Sequence, residues 1–485
     1  MRPDLTQGIP TCEVLVHGSG ECDQLGLGEG VLERKKPTLL KVLSDKKVVS
    51  VAVGSLHNLA LTSDGRVFSW GCNDDGALGR AGQENIPLPI ATFDEVPIKK
   101  ISVGDCHSAF LDFAGRLWLC GTYKDSSGHL GFPDYDKGIG HVHHKQLEPV
   151  MVHGLPPRTR VEDVVCGANH TVVTVSSTDA RRRSSMSPAS SLRILAWGND
   201  EFGQLGLGFS RDEEEGRPEE DSVMLRHTSR GKRHLKAKLF PRDVVWSSLK
   251  TGGGIKNIFA TAQTTFVRTI DNAIYGCGLN NFGQIGFGNT SPYPIRVLTK
   301  VDPLSPPQSS PVEFIAGGTV HSAARLQNGH VVSWGRRDYS GLPGNGGTDI
   351  QPPSVIPTLS EIRHIACGGS HTIAATKDGK VYAWGFGGTH QLGNLPRDIS
   401  MGAAGPDEEP EDEQEPYLVQ SKQLGERFVV AVAAGAQHSM ELAFNGQYAE
   451  DMSKTLSAKA SAYTPTKRKS APRVSSSKKR RTESE

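Results

Sequence analysis

The stretch VAVGSLHNLALTSDGRVFSWGCNDDGALG, residues 51–79, decides the fold of this 485-residue chain. It holds two short apolar runs, NLALTS (58–63) and RVFSWG (66–71), which are joined by Asp64-Gly65. Short apolar runs favour β-strands, and an Asp-Gly pair between two of them is typical of a tight hairpin. No long segment with a 3.6-residue hydrophobic period competes with this pattern. The stretch therefore predicts a small antiparallel β-unit.

The same frame recurs along the chain, and its most regular part is a GxxH element. Six histidines and one glutamine stand at this anchor position: His57, His107, His170, Gln263, His321, His371 and His438. The closest anchors are 50 residues apart, and loops fill the longer gaps. A repeat of about 50 residues made of short strands is typical of a propeller blade. Seven anchors predict an all-β, seven-bladed β-propeller.

The two ends of the repeat region complement each other. The last copy stops after its first hairpin, at Gly446, and lacks the second half of a blade. The missing half, a strand followed by a QLG turn, stands in CEVLVHGSGECDQLGLG (12–28). We expect the N- and C-terminal segments to close one blade together, because sharing a blade removes the open edge of the ring. The predicted propeller spans 12–446.

Four segments do not fit the repeat. They are the Ser/Arg-rich 177–191, the acidic-then-basic 209–242, the acidic and Pro-rich 400–416, and the basic tail 450–485. Their compositions predict solvated loops and a disordered tail rather than further domains. The last 32 residues carry ten Lys and Arg against two Glu, although the net charge of the whole chain is only +1. A basic tail on an acidic body predicts different partners for the two parts.

Several classes of chemistry lack a supporting motif. A group repeated at the same place in every blade indicates structure, because an active site needs asymmetry; we therefore predict that the anchor histidines bond loop backbone. The eight cysteines show no CxxC or paired zinc spacing, and no Walker-A, HExxH or GxSxG motif occurs. No apolar run approaches the ~18–20 residues that span a membrane. We expect no metal, no cofactor, no covalent catalysis and no membrane contact.

One copy breaks the regularity, at YKDSSGHLGF (123–132). In four other copies a second Gly follows the repeated Gly after eight residues, at Gly79, Gly206, Gly286 and Gly393, whereas Gly121 and Gly131 are ten residues apart. A longer turn must protrude beyond its siblings. The residues alone leave open whether it is a functional element or only a longer turn.

Three stretches carry a family resemblance: GSGECDQLGLGEGVLERKKP (18–37), GCNDDGALGR (71–80) and VGDCHSAFLDFAGRLWLCGTYKDSSG (103–128). They resemble the regulator of chromosome condensation family, seven-bladed propellers that exchange guanine nucleotides on the small GTPase Ran. The resemblance covers 12–446. It implies a chromatin-bound exchange factor that performs no covalent chemistry and generates Ran-GTP in the nucleus for nucleocytoplasmic transport and for control of the spindle and nuclear envelope.

The resemblance also implies site residues. Residues 123–130, here called the wedge hairpin, match a β-wedge that presses into Ran beside its nucleotide: Tyr123, Lys124, Asp125, Ser126, Ser127, Gly128, His129 and Leu130. The resemblance implies four further contacts with the GTPase: Glu21, Asp105, Asn169 and His438. His438 is thus the one anchor histidine for which we expect a functional role. Asp105 matches the family pattern. Three positions depart from it: the pattern has Asp where this chain has Glu21, an acidic residue where it has Asn169, and His where it has Val320.

A second implied partner is chromatin. By resemblance SRGKRHLKAK (229–238) is the loop that docks on the acidic patch of the nucleosome, through Arg230, Arg233 and Lys236. The tail stretch KRKSAPRVSSSKKRR (467–481) holds two basic clusters, which predict a bipartite signal for a nuclear import receptor, a DNA-phosphate contact, or both. The clustered residues are Lys467, Arg468, Lys469, Lys478, Lys479, Arg480 and Arg481. We expect a chromatin-associated protein of the nucleus.

Two other functions remain open at this stage. A propeller scaffold without exchange activity has no need of the longer turn or of Asp105. A light sensor, as in the plant UV-B photoreceptor of the same repeat type, needs a dense tryptophan cluster, and this chain has only six Trp. The turn at 123–132 therefore distinguishes the hypotheses.

Overall fold

The computed structural model describes residues 12–139, 141–178, 192–208, 238–246, 254–291, 293–306, 310–342, 349–394 and 411–446. Its strands, in chain order, are β1 (Glu13–Ser19), β2 (Glu33–Leu39), β3 (Val48–Val53), β4 (His57–Thr62), β5 (Val67–Gly71), β6 (Leu88–Pro89), β7 (Ile98–Val103), β8 (His107–Asp112), β9 (Leu117–Gly121), β10 (Tyr123–Asp125), β11 (Gly128–Pro133), β12 (Val142–His143), β13 (Gln146–Met151), β14 (Thr159–Cys166), β15 (His170–Ser177), β16 (Arg193–Gly198), β17 (Arg242–Asp243), β18 (Ile255–Ala260), β19 (Thr264–Thr269), β20 (Ile274–Gly278), β21 (Ile295–Lys300), β22 (Val312–Gly317), β23 (His321–Leu326), β24 (Val331–Arg336), β25 (Ile350–Val355), β26 (Ile362–Cys367), β27 (His371–Thr376), β28 (Val381–Gly385), β29 (Glu413–Leu418), β30 (Arg427–Ala434) and β31 (His438–Asn445). The described helices are short: α1 (Lys422–Gly425) and the 3₁₀ segments Lys41–Leu43, Ala91–Phe93, Asp302–Leu304 and Arg337–Tyr339.

Twenty-eight of these strands form seven four-stranded antiparallel sheets, the blades, and β10, β11 and β12 form a separate three-stranded sheet. From the inner to the outer strand they are blade 1 (β3, β4, β5, β6), blade 2 (β7, β8, β9, β13), blade 3 (β14 to β17), blade 4 (β18 to β21), blade 5 (β22 to β25), blade 6 (β26 to β29) and blade 7 (β30, β31, β1, β2). In blade 7, β31 pairs with β1 from Ala443 opposite Glu13 to His438 opposite Gly18. The predicted closure by both chain ends is confirmed.

The blades form a closed ring. The innermost strand of each blade contacts that of the next, in the order β3, β7, β14, β18, β22, β26 and β30, and β30 contacts β3 again. Backbone hydrogen bonds link neighbouring blades near this inner rim: the N–H of Ala168 donates to the oxygen of Ala262 at 2.9 Å, and that of Ala436 donates to Ser55 at 3.1 Å. The second of these bonds joins blade 7 to blade 1. The described chain is therefore the predicted all-β propeller.

Burial explains the apolar runs of the sequence. Second strands such as β4 and β27 are buried along their whole length, because the neighbouring blades cover both of their faces. A strand covered on two sides shows a continuous apolar run rather than an alternation. Four tryptophans at equivalent strand ends are completely buried in the blade interfaces: Trp70, Trp197, Trp334 and Trp384. The indole N–H of Trp70 donates to the backbone oxygen of Gln24 in blade 7.

The anchor histidines join one blade to the next. Each begins a second strand, and its Nε2 bonds a side chain of the following blade: His57 with Ser108, His107 with Thr171, His170 with Thr265, His321 with Thr372, His371 with Ser439, and His438 with Asn58, at 2.7–3.0 Å. The predicted structural role is confirmed. The expected loop-backbone partner is wrong for these Nε2 atoms, because they face the neighbouring strand.

The fourth copy needs a correction. Strand β19 begins at Thr264, which lies opposite Gly278 just as His57 lies opposite Gly71. Thr264, rather than Gln263, therefore occupies the anchor position of blade 4. Thr261 replaces the first Gly of the GxxH element in this copy. Because neither the Gly nor the His is present, the sequence alone does not show which residue of copy four occupies the anchor position.

The first Gly of the GxxH element is required by close packing. A Cβ on Gly104 would lie 2.3 Å from Cε1 of His107 and 2.5 Å from the backbone oxygen of Gly167 in the next blade. A Cβ on Gly435 would similarly meet Gly54 across the closing interface, at 2.7 Å. Real Cβ atoms do not approach other atoms this closely, so any larger residue would push the inner rims apart.

The loop segments lie largely outside the described residues. These include most of 177–191, 209–242 and 400–416, and all of 450–485. Three predicted boundaries are too wide, because Ser177 still belongs to β15, Arg242 begins β17 and Glu413 begins β29. The expectation that these segments are solvated stays a prediction.

Candidate functional site

Most of the predicted GTPase contacts emerge at one end of the ring. Neighbouring strands are antiparallel, so the first-to-second and third-to-fourth connections of every blade share one end, here called the front face. Asp105 and Asn169 lie in first-to-second connections, of blades 2 and 3. Glu21 and the wedge hairpin lie in third-to-fourth connections, of blades 7 and 2. His438, the first residue of β31, lies at the same end but is completely buried.

The wedge hairpin is part of an inserted sheet. Strand β10 pairs with β11, and Asp125 lies opposite Gly128, so Ser126 and Ser127 form a two-residue tip. Strand β11 also pairs with β12. Gly128 has a φ of 121°, a left-handed value that favours glycine at the end of this tight turn. The hairpin therefore projects from between β9 and β13 as ordered β-structure.

The comparison of Gly spacings must be corrected accordingly. Gly79 closes a turn and donates its N–H to Gly76, whereas Gly131 lies inside β11 opposite Tyr123. The two glycines are not equivalent. The insertion in blade 2 comprises residues 122–145, the whole connection between β9 and β13, rather than two additional residues.

Tyr123 fixes the base of the hairpin inside the ring. At three other blade interfaces, the hydroxyl that bonds the anchor histidine donates its own hydrogen to a turn carbonyl: Ser108 to Ala77 at 2.7 Å, Thr265 to Gln204 at 2.6 Å and Ser439 to Gln391 at 2.9 Å. In blade 2 the inserted sheet replaces that turn. There the Oη of Tyr123 lies 2.9 Å from Oγ1 of Thr171, the partner of His107.

Tyr123 is 0% exposed, and its ring lies 4.7 Å from that of His107. Burial raises the pKa of its hydroxyl above the usual value, so the group stays protonated. The sequence placed Tyr123 among the GTPase contacts. The structure instead makes it the buried root of the wedge hairpin, without surface for a partner.

The tip of the hairpin is polar and exposed. Ser126 donates its backbone N–H to Oε2 of Glu201 at 3.0 Å, and its hydroxyl donates to the other oxygen of that carboxylate. The N–H and hydroxyl of Ser127 both donate to Oδ1 of Asp125, at 2.9 and 2.7 Å. Residues 126–129 are exposed, and Leu130 is half-buried. The tip thus offers hydroxyls and one imidazole, His129, to a partner.

Lys124 connects the hairpin to both neighbouring blades. Its backbone N–H donates to Oδ1 of Asn169 in blade 3 at 2.8 Å, and its ammonium lies 2.6 Å from Oδ2 of Asp75 in blade 1. Burial opposes the charge of Asp75 and is the largest single influence on its carboxyl. Hydrogen bonds from Lys124 and Cys106, together with the charges of Lys124 and His129, outweigh it, so the pKa of that carboxyl is lowered. Asn169, predicted as a GTPase contact, therefore already uses its side-chain oxygen to hold the hairpin.

Two predicted carboxylates are exposed on the front face, Asp105 and Glu21. Asp105 accepts a hydrogen bond from the hydroxyl of Ser55 at 2.5 Å, and its backbone N–H donates to Ala168 at 2.7 Å. The surrounding protein desolvates the carboxyl and raises its pKa, although the Ser55 hydrogen bond and the charge of Lys124 work in the opposite direction. A partner with basic side chains would find acceptors here beside the wedge hairpin.

His438 does not differ from the other anchor histidines. It is 0% exposed, bonds Asn58 at 2.7 Å, and burial lowers its pKa to about 3. His438 therefore shares the structural role of the other anchor histidines in the free protein. Its contact with the GTPase stays a prediction. Among the described residues no cluster of three or more His, Cys, Asp or Glu forms a potential metal site, and no helix is long and apolar enough to cross a membrane.

Sequence reasoning missed two residues of the site, Asp75 and Glu201. Asp75 stands four residues after the repeated Gly71, where the eight-residue turns of blades 7, 3, 4 and 6 have Cys22, Phe202, Phe282 and Thr389. An acidic residue at a position that is otherwise apolar or neutral was an available signal. Glu201 had no such signal, because polar residues are common at its position.

Two basic regions lie outside the described residues: Arg230, Arg233 and Lys236, and the tail cluster within 467–481. The segment that contains the first three leaves blade 3 after Gly208 and returns at Lys238, in a third-to-fourth connection. Both of its described ends therefore lie at the front face.

Comparison with known proteins agrees with this architecture. The family model described as the RCC1-like domain matches residues 13–441. The chain is 34% identical over 437 residues to the mouse "Regulator of chromosome condensation", covering 88% of this chain and 90% of the relative. The solved structure of Prp20p from Saccharomyces cerevisiae, described with its binding to Gsp1p and histones, has a TM-score of 0.73 at 24% identity and covers 94% of this chain and 97% of that one. Yeast RCC1 (Prp20) bound to Kap60 also has a TM-score of 0.73 at 24% identity, covering 93% and 94%. The chain therefore belongs to the regulator of chromosome condensation family.

Proposed function

We propose that this protein is the guanine-nucleotide exchange factor for Ran and that it acts while bound to chromatin in the nucleus. The observation that carries the proposal is the ordered wedge hairpin, which projects from the front face beside Asp105 in a member of this family. The repeated groups of the ring are buried, whereas the hairpin tip is exposed and breaks the repeat. Among the described residues no other blade carries such an inserted sheet, and an activity that needs one site calls for an element that is not repeated.

The chemistry proposed is displacement, with no bond made or broken. A GTPase holds its nucleotide through P-loop amides, a lysine and Mg²⁺. The tip residues Ser126, Ser127 and His129 would press beside that loop and weaken both metal and phosphate binding. By reciprocity, bound nucleotide weakens the exchange factor's grip on the GTPase by the same factor. Exchange then runs in both directions, and the ratio of free GTP to GDP sets the product.

Electrostatics supports the encounter. Asp105 and Glu21 are exposed carboxylates on the same face as the hairpin. Carboxylates opposite a basic partner surface raise the association rate more than the final affinity. We assign them to steering and orientation, and the hairpin tip to displacement.

Chromatin contact is the second part of the proposal. Arg230, Arg233 and Lys236 would bind the acidic patch of the nucleosome, because guanidinium groups form bidentate contacts with carboxylates. The basic tail would bind DNA phosphates, an import receptor or both. The described binding of Prp20p to histones, and its complex with Kap60, support these partners. Exchange at chromatin would supply Ran-GTP for nucleocytoplasmic transport and for mitotic spindle and nuclear envelope control.

The test is release of fluorescent GDP from Ran with and without this protein. We expect release to accelerate at catalytic concentrations, and unchanged release at micromolar protein would overturn the proposal. In that outcome a chromatin scaffold without exchange activity becomes the better interpretation. Deletion of Ser126-Ser127 should abolish the acceleration without changing the thermal midpoint, since the tip lies outside the seven blades. Replacing both Arg230 and Arg233 by Ala should weaken nucleosome binding and leave exchange intact.

A further inference from the structure

We propose that Asp75 and Glu201 are positioning residues that brace the wedge hairpin from the two neighbouring blades and so preorganise it for nucleotide displacement. The catalytic consequence rests on the proposed exchange function, whereas the mechanical one concerns the free protein and is tested separately. Neither residue belongs to the hairpin or to the predicted contact set.

The first brace comes from blade 1. Asp75 lies in the connection between β5 and β6, and its Oδ2 is 2.6 Å from the ammonium of Lys124. Its other oxygen is 3.8 Å from Nε2 of His129, on the second strand of the hairpin. The side chain of Asp75 is only 16% exposed and that of Lys124 33%, so water competes weakly for the pair. One carboxylate thus pairs with the first strand of the hairpin and lies close to the second.

The second brace comes from blade 3. Glu201 lies in the connection between β16 and β17, and its two oxygens accept the backbone N–H and the hydroxyl of Ser126. Such bidentate contact to a carboxylate fixes orientation as well as distance. It reaches the tip itself, whereas Asp75 reaches the strands. The hairpin is therefore held at its base by Tyr123, at mid-height by Asp75 and at its tip by Glu201.

The repeat supplies an independent argument for Asp75. The equivalent turn positions hold Phe202 and Phe282 in blades 3 and 4, and Thr389 and Cys22 in blades 6 and 7. None of these side chains carries a carboxylate, so the turn does not need a carboxylate at this position for its stability. The acidic side chain occurs in the blade that stands next to the wedge hairpin, where it finds Lys124.

Bracing lowers the cost of displacement. A two-stranded hairpin is at best marginally stable by itself, and a mobile one would lose its conformational freedom when it enters the GTPase. If the contacts of the ring have already fixed it, that cost is absent from the displacement step. Loss of a brace should therefore reduce the maximal rate of release, while docking through the exposed carboxylates, and hence the KM for Ran, stays unchanged.

The variants are Asp75→Asn and Glu201→Gln, which remove the charge and keep the side-chain size. Matched controls are Asp378→Asn and Glu361→Gln, which remove carboxylates that pair with Lys380 and Lys377 in connections of the opposite end. In the free protein, we expect amide hydrogen exchange of 124–130 to become about fivefold to tenfold faster in the first pair alone. With Ran, the kcat for GDP release should fall by a similar factor.

A double-mutant cycle separates positioning from a general effect. Asp75→Asn should lower the rate in the wild-type chain but have no further effect once Lys124→Met has removed its partner. Unchanged hydrogen exchange in both brace variants would overturn the brace, even if the wild type is an active exchange factor. If hydrogen exchange of 124–130 is faster in the brace variants but the wild type does not accelerate GDP release from Ran, the brace is retained and the proposed function is overturned. A raised KM with unchanged kcat would show that the two carboxylates bind the GTPase directly, which also contradicts the proposal.

Discussion

Lowering the pH from 7 to 5 should destabilise the propeller strongly, because the ring is built around neutral histidines. Burial lowers the pKa to about 4 for His57 and His321, and to about 3 for His107, His170 and His438. The ordinary pKa of a histidine, which applies to the unfolded chain, is 6.5. The unfolded state therefore binds more protons, so this contribution is fully present above pH 6.5 and is lost as the pH falls towards the folded values.

The magnitude follows from these values. At pH 5 a histidine is almost fully protonated in the unfolded chain and almost neutral in the folded ring, whereas at pH 7 the difference is small. Each such histidine should then reduce the free energy of unfolding by about 2 kcal/mol between pH 7 and pH 5. Five of them together amount to roughly 9 kcal/mol, which is comparable to the whole stability of an ordinary domain, about 5–15 kcal/mol.

The assay is urea unfolding followed by tryptophan fluorescence at several pH values, with proton uptake on unfolding measured by calorimetry in two buffers. Near pH 5.5 we expect uptake of about four to five protons from these histidines. His321→Gln should reduce the uptake by about one proton, because it removes one titratable imidazole. The ring should stay intact, since glutamine can still donate to Thr372. His153→Gln is the matched control, because this side chain is exposed in the folded state already. An uptake below about two protons, or equal uptake in the His321 variant and the wild type, would refute the reasoning.

Three further perturbations test the packing and the site. Gly104→Ala should destabilise by about 1–3 kcal/mol, because the added methyl lies 2.3 Å from His107, whereas Gly425→Ala, with no atom within 4 Å, should stay within about 0.5 kcal/mol; both are measured as urea midpoints. Tyr123→Phe should lose about 0.5–1.5 kcal/mol through one buried hydrogen bond, and an unchanged midpoint would mean that its hydroxyl does not link blades 2 and 3. Asp105→Asn should slow association with Ran and make it less sensitive to salt in stopped-flow measurements, and an unaltered salt dependence would exclude steering by this carboxylate.

Much of the fold could be predicted because the propeller repeats its requirements. Six of the seven blades have a glycine where inner rims meet and a histidine that reaches the next blade, so Gly and His recur at fixed spacing, as in Gly104 and His107. The closure by both chain ends was visible for the same reason. Blade 4 was misaligned by one residue because Thr261 and Thr264 replace both markers at once. When both the Gly and the His are replaced, a single sequence does not show how that copy aligns with the other copies.

The site was harder to predict because its contacts join residues that are distant in the chain. The wedge hairpin could be located from the broken spacing, but counting residues does not show that Gly131 lies in a strand or that Tyr123 turns inward. Lys124 meets Asp75 across 49 residues and Ser126 meets Glu201 across 75. Such pairs follow from the placement of neighbouring blades, which no local pattern encodes.

Departure from the repeat is a guide to function only together with exposure. Thr264 departs from the anchor histidine as clearly as the wedge departs from an ordinary turn, yet it is 1% exposed and its hydroxyl contacts Thr261 within the same blade. In blade 4 the replaced histidine is thus compensated by a buried contact within the same blade, which offers no surface to a partner. At 123–130 the buried end, Tyr123, restores the bond between blades that the lost turn would have made, while Ser126 and Ser127 stay exposed. The insertion therefore leaves the ring bonded between blades 2 and 3 and adds a projecting surface, which is what a one-site activity on a sevenfold scaffold requires.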